Sequence, residues 1–442
     1  MQDLYQRLAS LGAAVPEIML PKPEVDLCKW AVIACDQFTQ DRMYWKKTAD
    51  FVGNAPSTLN LIFPEVYIGD EGAEARIQNI HQTMDKYIKN GVFRPPKQGL
   101  VYVERSAAGK RRGQGLAAAV DLEQYDWKKE TPLLIRATEE TVPERLPPRM
   151  AVRRGAALES SHVLLLIEDE ENILLGGLEQ RAKIAPPAYK TSLMTTGEIA
   201  GWFLDRETDW AYLAERLEML AEKAESCYGA PPFLYAVGDG NHSLASAKAV
   251  WEEYKASHAG ESGLMEHPGR YALVEIENLY DPALRFEPIH RLVSGPGMAE
   301  ITALLSELPG FTCRPIENGQ DLAALVGERK AAKMRLGLIS GAEYALVESD
   351  AQGLATTHLQ PLLDEFVSGT QGYGLDYIHG QEALYKESAN PSKPGAGILL
   401  PPVKKEGLFK TAADGGPLPR KSFSMGEALD KRCYLECRKL FC

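Results

Sequence analysis

The stretch "AVGDGNHSLASAKAVWEEY", residues 236–254, sets Asp239, Asn241, His242 and Ser243 within one turn of chain, with Gly238 and Gly240 interleaved. These side chains offer a carboxylate, an amide, an imidazole and a hydroxyl, a set suited to proton transfer or to holding an anion. Asp36 directly follows the apolar "WAVIAC" and is a candidate general base or metal-positioning carboxylate. Its neighbour Cys35 reads as a small core residue, since nothing nearby in sequence lowers a thiol pKa. Arg136, Glu139, Thr141, Glu144 and Arg145 lie where "PLLIRA" leaves a strand, and such exits often carry binding residues. In "FEPIHRLV", His290 stands beside Arg291, whose guanidinium can grip phosphate bidentately.

The elements that must position these residues follow from local pattern. Residues 232–236 are mostly apolar or aromatic and read as a buried strand, while Leu244, Ala247, Trp251 and Tyr254 recur at helical spacing. The polar cluster therefore sits at a strand-to-helix turn. Asn241 or Ser243 is expected to cap the helix, and Gly238 and Gly240 permit backbone geometry that a side chain would block. A helix start presents unpaired N–H groups and partial positive charge, which makes the turn a seat for phosphate or carboxylate.

Elsewhere, "CKWAVIACDQF" (28–38) reads as extended and leads into a helix over 40–52, with another over 73–90. Two apolar stretches around a Gly- and Lys/Arg-rich tip (99–122) predict a β-hairpin. "HVLLLIED" reads as an apolar strand, 209–227 as a helix and 270–279 as a strand. Beyond 298, helices near 298–308 and 320–328 alternate with the strands "MRLGLIS" and "EYALVES". The expected division is a main α/β domain over 1–295 and a smaller C-terminal α/β unit over 296–442, with a Pro/Gly/Lys-rich segment at 390–424. Lys393, Lys404, Lys405, Lys410, Arg420 and Lys421 in or beside that segment either close over an anion or serve solubility.

The 442 residues carry 49 Lys and Arg against 61 Asp and Glu, a net charge of −12, so long-range attraction to nucleic acid or an anionic membrane is not expected. No apolar run reaches the length of a membrane span, and the first twenty residues mix charges through any signal-like stretch. Seven cysteines without a C-x-x-C pair argue against a disulfide framework or a ribbon-type zinc site, and a reducing cytoplasm fits best. A homodimer is a common state for such chains, although no interface is legible.

With these motifs in order, the sequence resembles a widespread prokaryotic family called domain of unknown function one-thousand-and-fifteen. "GDGNHSLASAK" is similar to its Asp-Gly-His-His-Arg motif, and "ACDQF" stands where the family has Pro-Tyr-Asp. "IRATEETVPERLPPR" resembles its His-Glu-x-Thr segment, "IHRLV" its Thr-His-Arg segment and "LPRKSFSMGEAL" its Pro-x-Lys-Ser-Thr segment. The turn is in turn similar to the nucleotide-binding turn of the ParB and sulfiredoxin fold, which includes ADP-dependent serine kinases. That resemblance implies a ParB/sulfiredoxin-like α/β core with a mixed sheet, elaborated by the second unit. Asp239, Gly240 and His242 keep the motif, while Asn241 replaces the first His and Ser243 replaces the Arg. Losing that Arg removes a charge-assisted contact of about 1.5–3 kcal/mol, for which Arg291 or Arg136 is the expected substitute.

The function so implied is nucleotide-dependent phosphoryl transfer to a small hydroxylated metabolite, serine or a relative. Gly238, Gly240, Asn241 and Ser243 would cradle the phosphates, joined by Thr141 and His290; Asp36 or Glu139 would act as base, and Asp239 and His242 complete the catalytic set. ATP or ADP with Mg²⁺ are the implied cofactors. The alternative is a non-catalytic protein that holds a nucleotide or phosphometabolite in the same pocket. DNA binding by analogy with ParB is disfavoured by the acidic balance.

Overall fold

A computed structural model of the chain describes residues 2–107, 110–128, 133–160, 162–194, 197–328, 332–392, 394–426 and 431–441. Two units emerge: Met1–Leu284 with Glu427–Cys442, and Arg285–Gly426. The expected boundary after residue 295 thus falls too late, because the strand Phe286–Ser294 already pairs with 374–379 and 395–399 of the second unit. The last residues also return to the first unit, a crossing that no local composition shift announces.

The first unit is built on a mixed sheet of ten strands among the described residues. From one edge the order is Tyr189–Ser192, Glu198–Leu204, Leu100–Ala107, Lys110–Asp121, Tyr271–Asn278, Leu164–Ile167, Tyr235–Asp239, Ile135–Ala137 and Tyr125–Asp126, with Ala13–Ala14 added beside Lys110–Asp121. Alternation along the strands sends side chains to two apolar layers. Leu100 and Tyr102 enter one layer with Trp210, Leu213 and Leu217 of the helix Glu207–Tyr228. Val101 and Val103 enter the other with Ile80, Met84 and Tyr87 of the helix Ala73–Lys89. Both helices stand within two residues of the ranges that apolar spacing predicts.

Three strands decide where the site forms. Tyr235–Asp239 runs parallel to Ile135–Ala137, with Tyr235 opposite Ile135. It runs antiparallel to Leu164–Ile167, with Asp239 opposite Leu164. The carboxyl ends of two parallel strands therefore meet the amino end of a third, the kind of strand-end crevice where open α/β sheets place ligands.

The stretch 28–38 is less extended than its composition implies. Asp26 accepts a 3.0 Å hydrogen bond from the Cys28 N–H and caps a short helix Leu27–Trp30 before the strand Val32–Ile33. Val32–Ile33 pairs with Cys433–Tyr434, so Asp36 follows a strand held by the C-terminal segment. The predicted hairpin forms, with 108–109 at its tip outside the described residues, as is Lys393.

In the second unit an antiparallel sheet has the order Thr312–Ile316, Glu343–Ser349, Met334–Ser340, Gly395–Leu399, Phe286–Ser294 and Gly374–His379, and Phe423–Met425 pairs with the start of Phe286–Ser294. The helices Met298–Leu305 and Gly319–Val326 form where expected. Among the described residues no helix is long and apolar enough to cross a membrane.

Candidate functional site

The buried strand ending at Asp239 passes through Gly240 into the helix Asn241–Ser257. Gly240 has φ of +78°, the left-handed region, and a Cβ there would stand 3.1 Å from Cγ2 and 3.2 Å from Cα of Val163. Only glycine meets both constraints without strain. Gly240 is itself the N-cap, with no side-chain capping bond, whereas Asn241 and Ser243 fall inside the helix. The expected caps are thus displaced: Ser243 Oγ turns instead to His162, 3.2 Å from Nε2. Asn241 is buried and its Oδ1 has no hydrogen-bond partner. The polar turn therefore keeps its first-turn N–H groups uncapped by side chains, as an anion seat requires.

Behind the turn lies a set of charges in which His162 and Lys431 are buried and Asp36 and Asp239 half-buried. Asp36 Oδ2 stands 3.3 Å from His162 Nε2, and Asp36 Oδ1 accepts a 2.9 Å bond from Gln37. His162 Nδ1 is 2.7 Å from the Tyr434 hydroxyl, which accepts from the Cys35 N–H. Burial works against the Asp36 carboxylate, but the charge and hydrogen bond of His162, with Gln37 and Lys431, hold it well below the usual carboxylate range. Burial likewise works against a charged His162, but Asp36, Asp239 and Glu65 raise it above the usual imidazole value. Each partner favours the charged form of the other, and His162 Nε2 lies between Asp36 and Ser243. Asp239 Oδ1 accepts from the Gly240 N–H at 2.9 Å, and Lys431 donates to Oδ2 at 2.9 Å from a nearly buried position.

The other predicted residues divide between this place and elsewhere. His242 Nε2 accepts the Val142 N–H at 3.2 Å, so His242 ties the strand exit to the helix start. Half-buried Glu139 lies in that exit, as does Thr141, whose buried Oγ1 has no hydrogen-bond partner. Gly238 is the penultimate residue of the strand. Arg136 points to the opposite end of its strand: Nε donates to the Leu133 carbonyl at 3.0 Å, a terminal nitrogen donates to the Pro231 carbonyl at 2.9 Å, and the guanidinium covers Phe233. It is a correction to the expectation that Arg136 replaces the missing Arg.

His290 and Arg291 belong to the second unit. Arg291 is fully buried, donating to Gln360 at 2.8 Å and to the Lys421 carbonyl at 3.1 Å while lying over Tyr377. His290 Nδ1 accepts the Leu400 N–H at 3.1 Å, and burial with the neighbouring Arg291 pushes the imidazole down to about 4. Both are committed to their own unit, contrary to a phosphate-gripping pair. Among the described residues, His162 and Lys431 are basic side chains that the structure brings to the turn, and sequence reasoning missed both. His162 was hidden as the first letter of an apolar strand, and Lys431 and Tyr434 lie some two hundred residues from the turn in sequence, with no motif to link them.

A cavity of about 140 Å³, partly open to solvent, lies beside Ser243 and His162. Cys35 and Tyr434 share its polar end, and Glu65 and Arg149 form an ion pair in its wall. Among the described residues no three His, Cys, Asp or Glu side chains converge to hold a metal ion. A nucleotide-bound Mg²⁺ needs only one or two carboxylates, because phosphates and water supply its other ligands.

A family model described as "Protein of unknown function (DUF1015)" matches residues 15–366. No curated protein matches the sequence. Among solved structures, a free serine kinase in complex with AMP is 12% identical, with TM-score 0.38, covering 72% of this chain and 90% of that one. SbnI with a C-terminal truncation, from Staphylococcus aureus, is 12% identical with TM-score 0.36 over 72% of this chain and 85% of that one. A conserved hypothetical protein from Pyrococcus furiosus is 12% identical with TM-score 0.35 over 73% and 94%.

Proposed function

We infer that this chain, which belongs to the DUF1015 family of proteins of unknown function, binds nucleotide phosphates at the start of the helix Asn241–Ser257 and transfers a phosphoryl group to a hydroxyl acceptor. The observation that carries this reading is the close Asp36–His162 pair, 3.3 Å apart, abutting Ser243 on the first turn of that helix. In the transfer, the acceptor O–H bond breaks and its proton passes to Asp36. The oxygen forms a bond to the terminal phosphorus, and the bridging P–O bond breaks to leave the shortened nucleotide. Helix N–H groups, the His162 imidazolium and Lys431 face the charge on the transferring oxygens, and such preorganised positive charge is most of what phosphoryl transfer requires. Mg²⁺ bound with the nucleotide would screen the phosphates from Asp36 and Asp239. Asp36 is favoured over Glu139 as base because it faces His162, whose Nε2 also reaches Ser243 Oγ.

The non-catalytic alternative draws support from the engagement of Asp239 by Lys431, which leaves that carboxylate less available to a metal. One experiment addresses both readings: thermal shift of the purified protein with ATP, ADP, CTP, phosphate, serine and phosphoserine, with and without Mg²⁺, alongside Asp239→Ala and His242→Ala. A nucleotide-dependent rise lost in both variants supports the seat. Absence of any rise with nucleotide or phosphate would refute it, and binding without product formation in a follow-up phosphate-transfer assay would favour the alternative.

A further inference from the structure

The wall of the cavity beside Ser243 holds more guanidinium than its carboxylates answer. Buried Glu159 accepts from both Arg153 and Arg438, and it also takes the Leu273 N–H at 3.1 Å. The other Arg438 nitrogens donate to the Pro268 carbonyl at 3.0 Å and to the Tyr271 carbonyl, which Arg153 shares at 3.1 Å. One donor is left over: Arg153 Nε–H is buried and has no acceptor. Two cations thus stand on one anion, and the surplus charge coincides with an unmet N–H. Burial lowers the Arg438 guanidinium below its ordinary value against the pull of Glu159, and the charge of Arg153 lowers it further. A ligand carboxylate would satisfy the donor and balance the charge in a single charge-assisted contact. The other acids here are engaged, Glu65 by Arg149 at 2.8 Å and Asp36 by His162, so a ligand ammonium would find no carboxylate to itself. Phe63, Met84, Leu158 and Leu273 make the rest of the lining largely apolar, which suits a short carbon chain better than an inorganic anion.

We propose that this cavity binds a small organic monocarboxylate, its carboxylate at Arg153 and its chain against the apolar wall. The volume of about 140 Å³ sets the size, since an apolar cavity of about 150 Å³ takes a molecule as large as benzene. The ligand therefore has about six to eight non-hydrogen atoms. That it is a hydroxy acid, whose hydroxyl accepts the phosphoryl group at the Ser243–His162 end, rests on the reading above; the carboxylate site rests on Arg153 and the cavity alone. The lining meets the helix only from Ser243 onward, leaving Asp239 to His242 and the inferred phosphate seat outside it.

The test is calorimetric titration of the full chain with butyrate, 3-hydroxybutyrate, hexanoate and decanoate, with butyramide and butylamine as the neutral and cationic comparisons and ADP titrated separately. Butyrate should bind at least about tenfold more tightly than butyramide, which has its shape without its charge, and more tightly still than butylamine. Affinity should rise from butyrate to hexanoate and fall at decanoate, which exceeds the volume. Arg153→Gln leaves Glu159 its partner Arg438, and it should bring butyrate to within about twofold of butyramide while leaving ADP unchanged. Ile68 lines the same cavity and is 36% exposed, so it can carry either charge without unfolding; Ile68→Lys should bind butyrate at least about threefold more tightly than Ile68→Glu, with butyramide equal in the two. ADP binding with butyrate no tighter than butyramide would overturn this proposal and leave the nucleotide seat standing. Displacement of butyrate by inorganic phosphate or ADP would also overturn it, by giving the cavity to the phosphates. Butyrate binding that depends on Arg153, with no binding of any nucleotide, would support the carboxylate site and refute phosphoryl transfer.

Discussion

Replacing Asp36 by Asn keeps the shape of the side chain and removes the charge facing His162. At the observed 3.3 Å separation the direct attraction is about 5 kcal/mol for an effective dielectric constant of about 20, before desolvation is subtracted. Removing one member of a fully buried pair typically costs about 3–5 kcal/mol, and the lower end or somewhat less is expected here because Asp36 is half-buried and His162 can lose its proton in response. The pH dependence has a definite sign. His162 is raised in the folded state, so its contribution is complete below the ordinary imidazole value of about 6.5 and fades as pH rises through the folded value. Asp36 is depressed, so its contribution is complete above the ordinary carboxylate value of about 3.9 and is lost only as pH falls through the folded value. The variant should therefore be most destabilised between about pH 4 and 6.5, and progressively less so in alkaline solution. Urea unfolding followed by tryptophan fluorescence reads this directly, because all six tryptophans, from Trp30 to Trp251, lie in the first unit. A loss below about 1 kcal/mol at pH 5–6, or one that is the same at pH 5 and pH 9, would refute the assignment of a charged pair.

Gly240→Ala should lower stability by about 1–2 kcal/mol from its left-handed backbone alone, with further loss from contact with Val163, and should abolish the thermal shift given by ADP. Tyr434→Phe removes the hydroxyl bonded at 2.7 Å to His162 Nδ1, so stability should fall by about 1–3 kcal/mol and the His162 titration seen by NMR should shift. Lys431→Met strips Asp239 of its buried counter-charge and should weaken ADP binding at least about tenfold, measured by calorimetry, if the ammonium faces phosphate as inferred. Arg136→Gln should leave ADP affinity within about twofold, since that guanidinium is spent on the carbonyls of Leu133 and Pro231 at the far end of its strand.

What was legible in the sequence is what local chemistry writes into neighbouring letters. The strand, the glycine turn and the helix around Asp239 could be read because an apolar run, a polar cluster and a helical repeat follow one another directly. Asp36 could be singled out because it ends an apolar run. The mistaken cap had a physical cause: Asn and Ser commonly cap helices, but the turn needs a left-handed residue at the cap, and only Gly240 supplies it without strain. The choice of Arg136 and Arg291 as charge donors failed because sequence shows that a guanidinium exists and not where it is already bonded. His162, Lys431 and Tyr434 were beyond reach for a related reason, as each gains its meaning from a partner brought near by sheet pairing across more than seventy residues.

The return of residues 431–441 to the first unit has a consequence for how the protein is made. A ribosome releases the N-terminal end first, so the helix start and Asp36 emerge long before Lys431 and Tyr434 exist to balance Asp239 and hold His162. Until the last stretch is synthesised, the strand Val32–Ile33 also lacks its pairing with Cys433–Tyr434, and the buried Glu275 lacks Arg432. The nascent chain must hold an unfinished first unit in waiting while the entire second unit is translated, which makes the completed site depend on synthesis having passed residues 431–441.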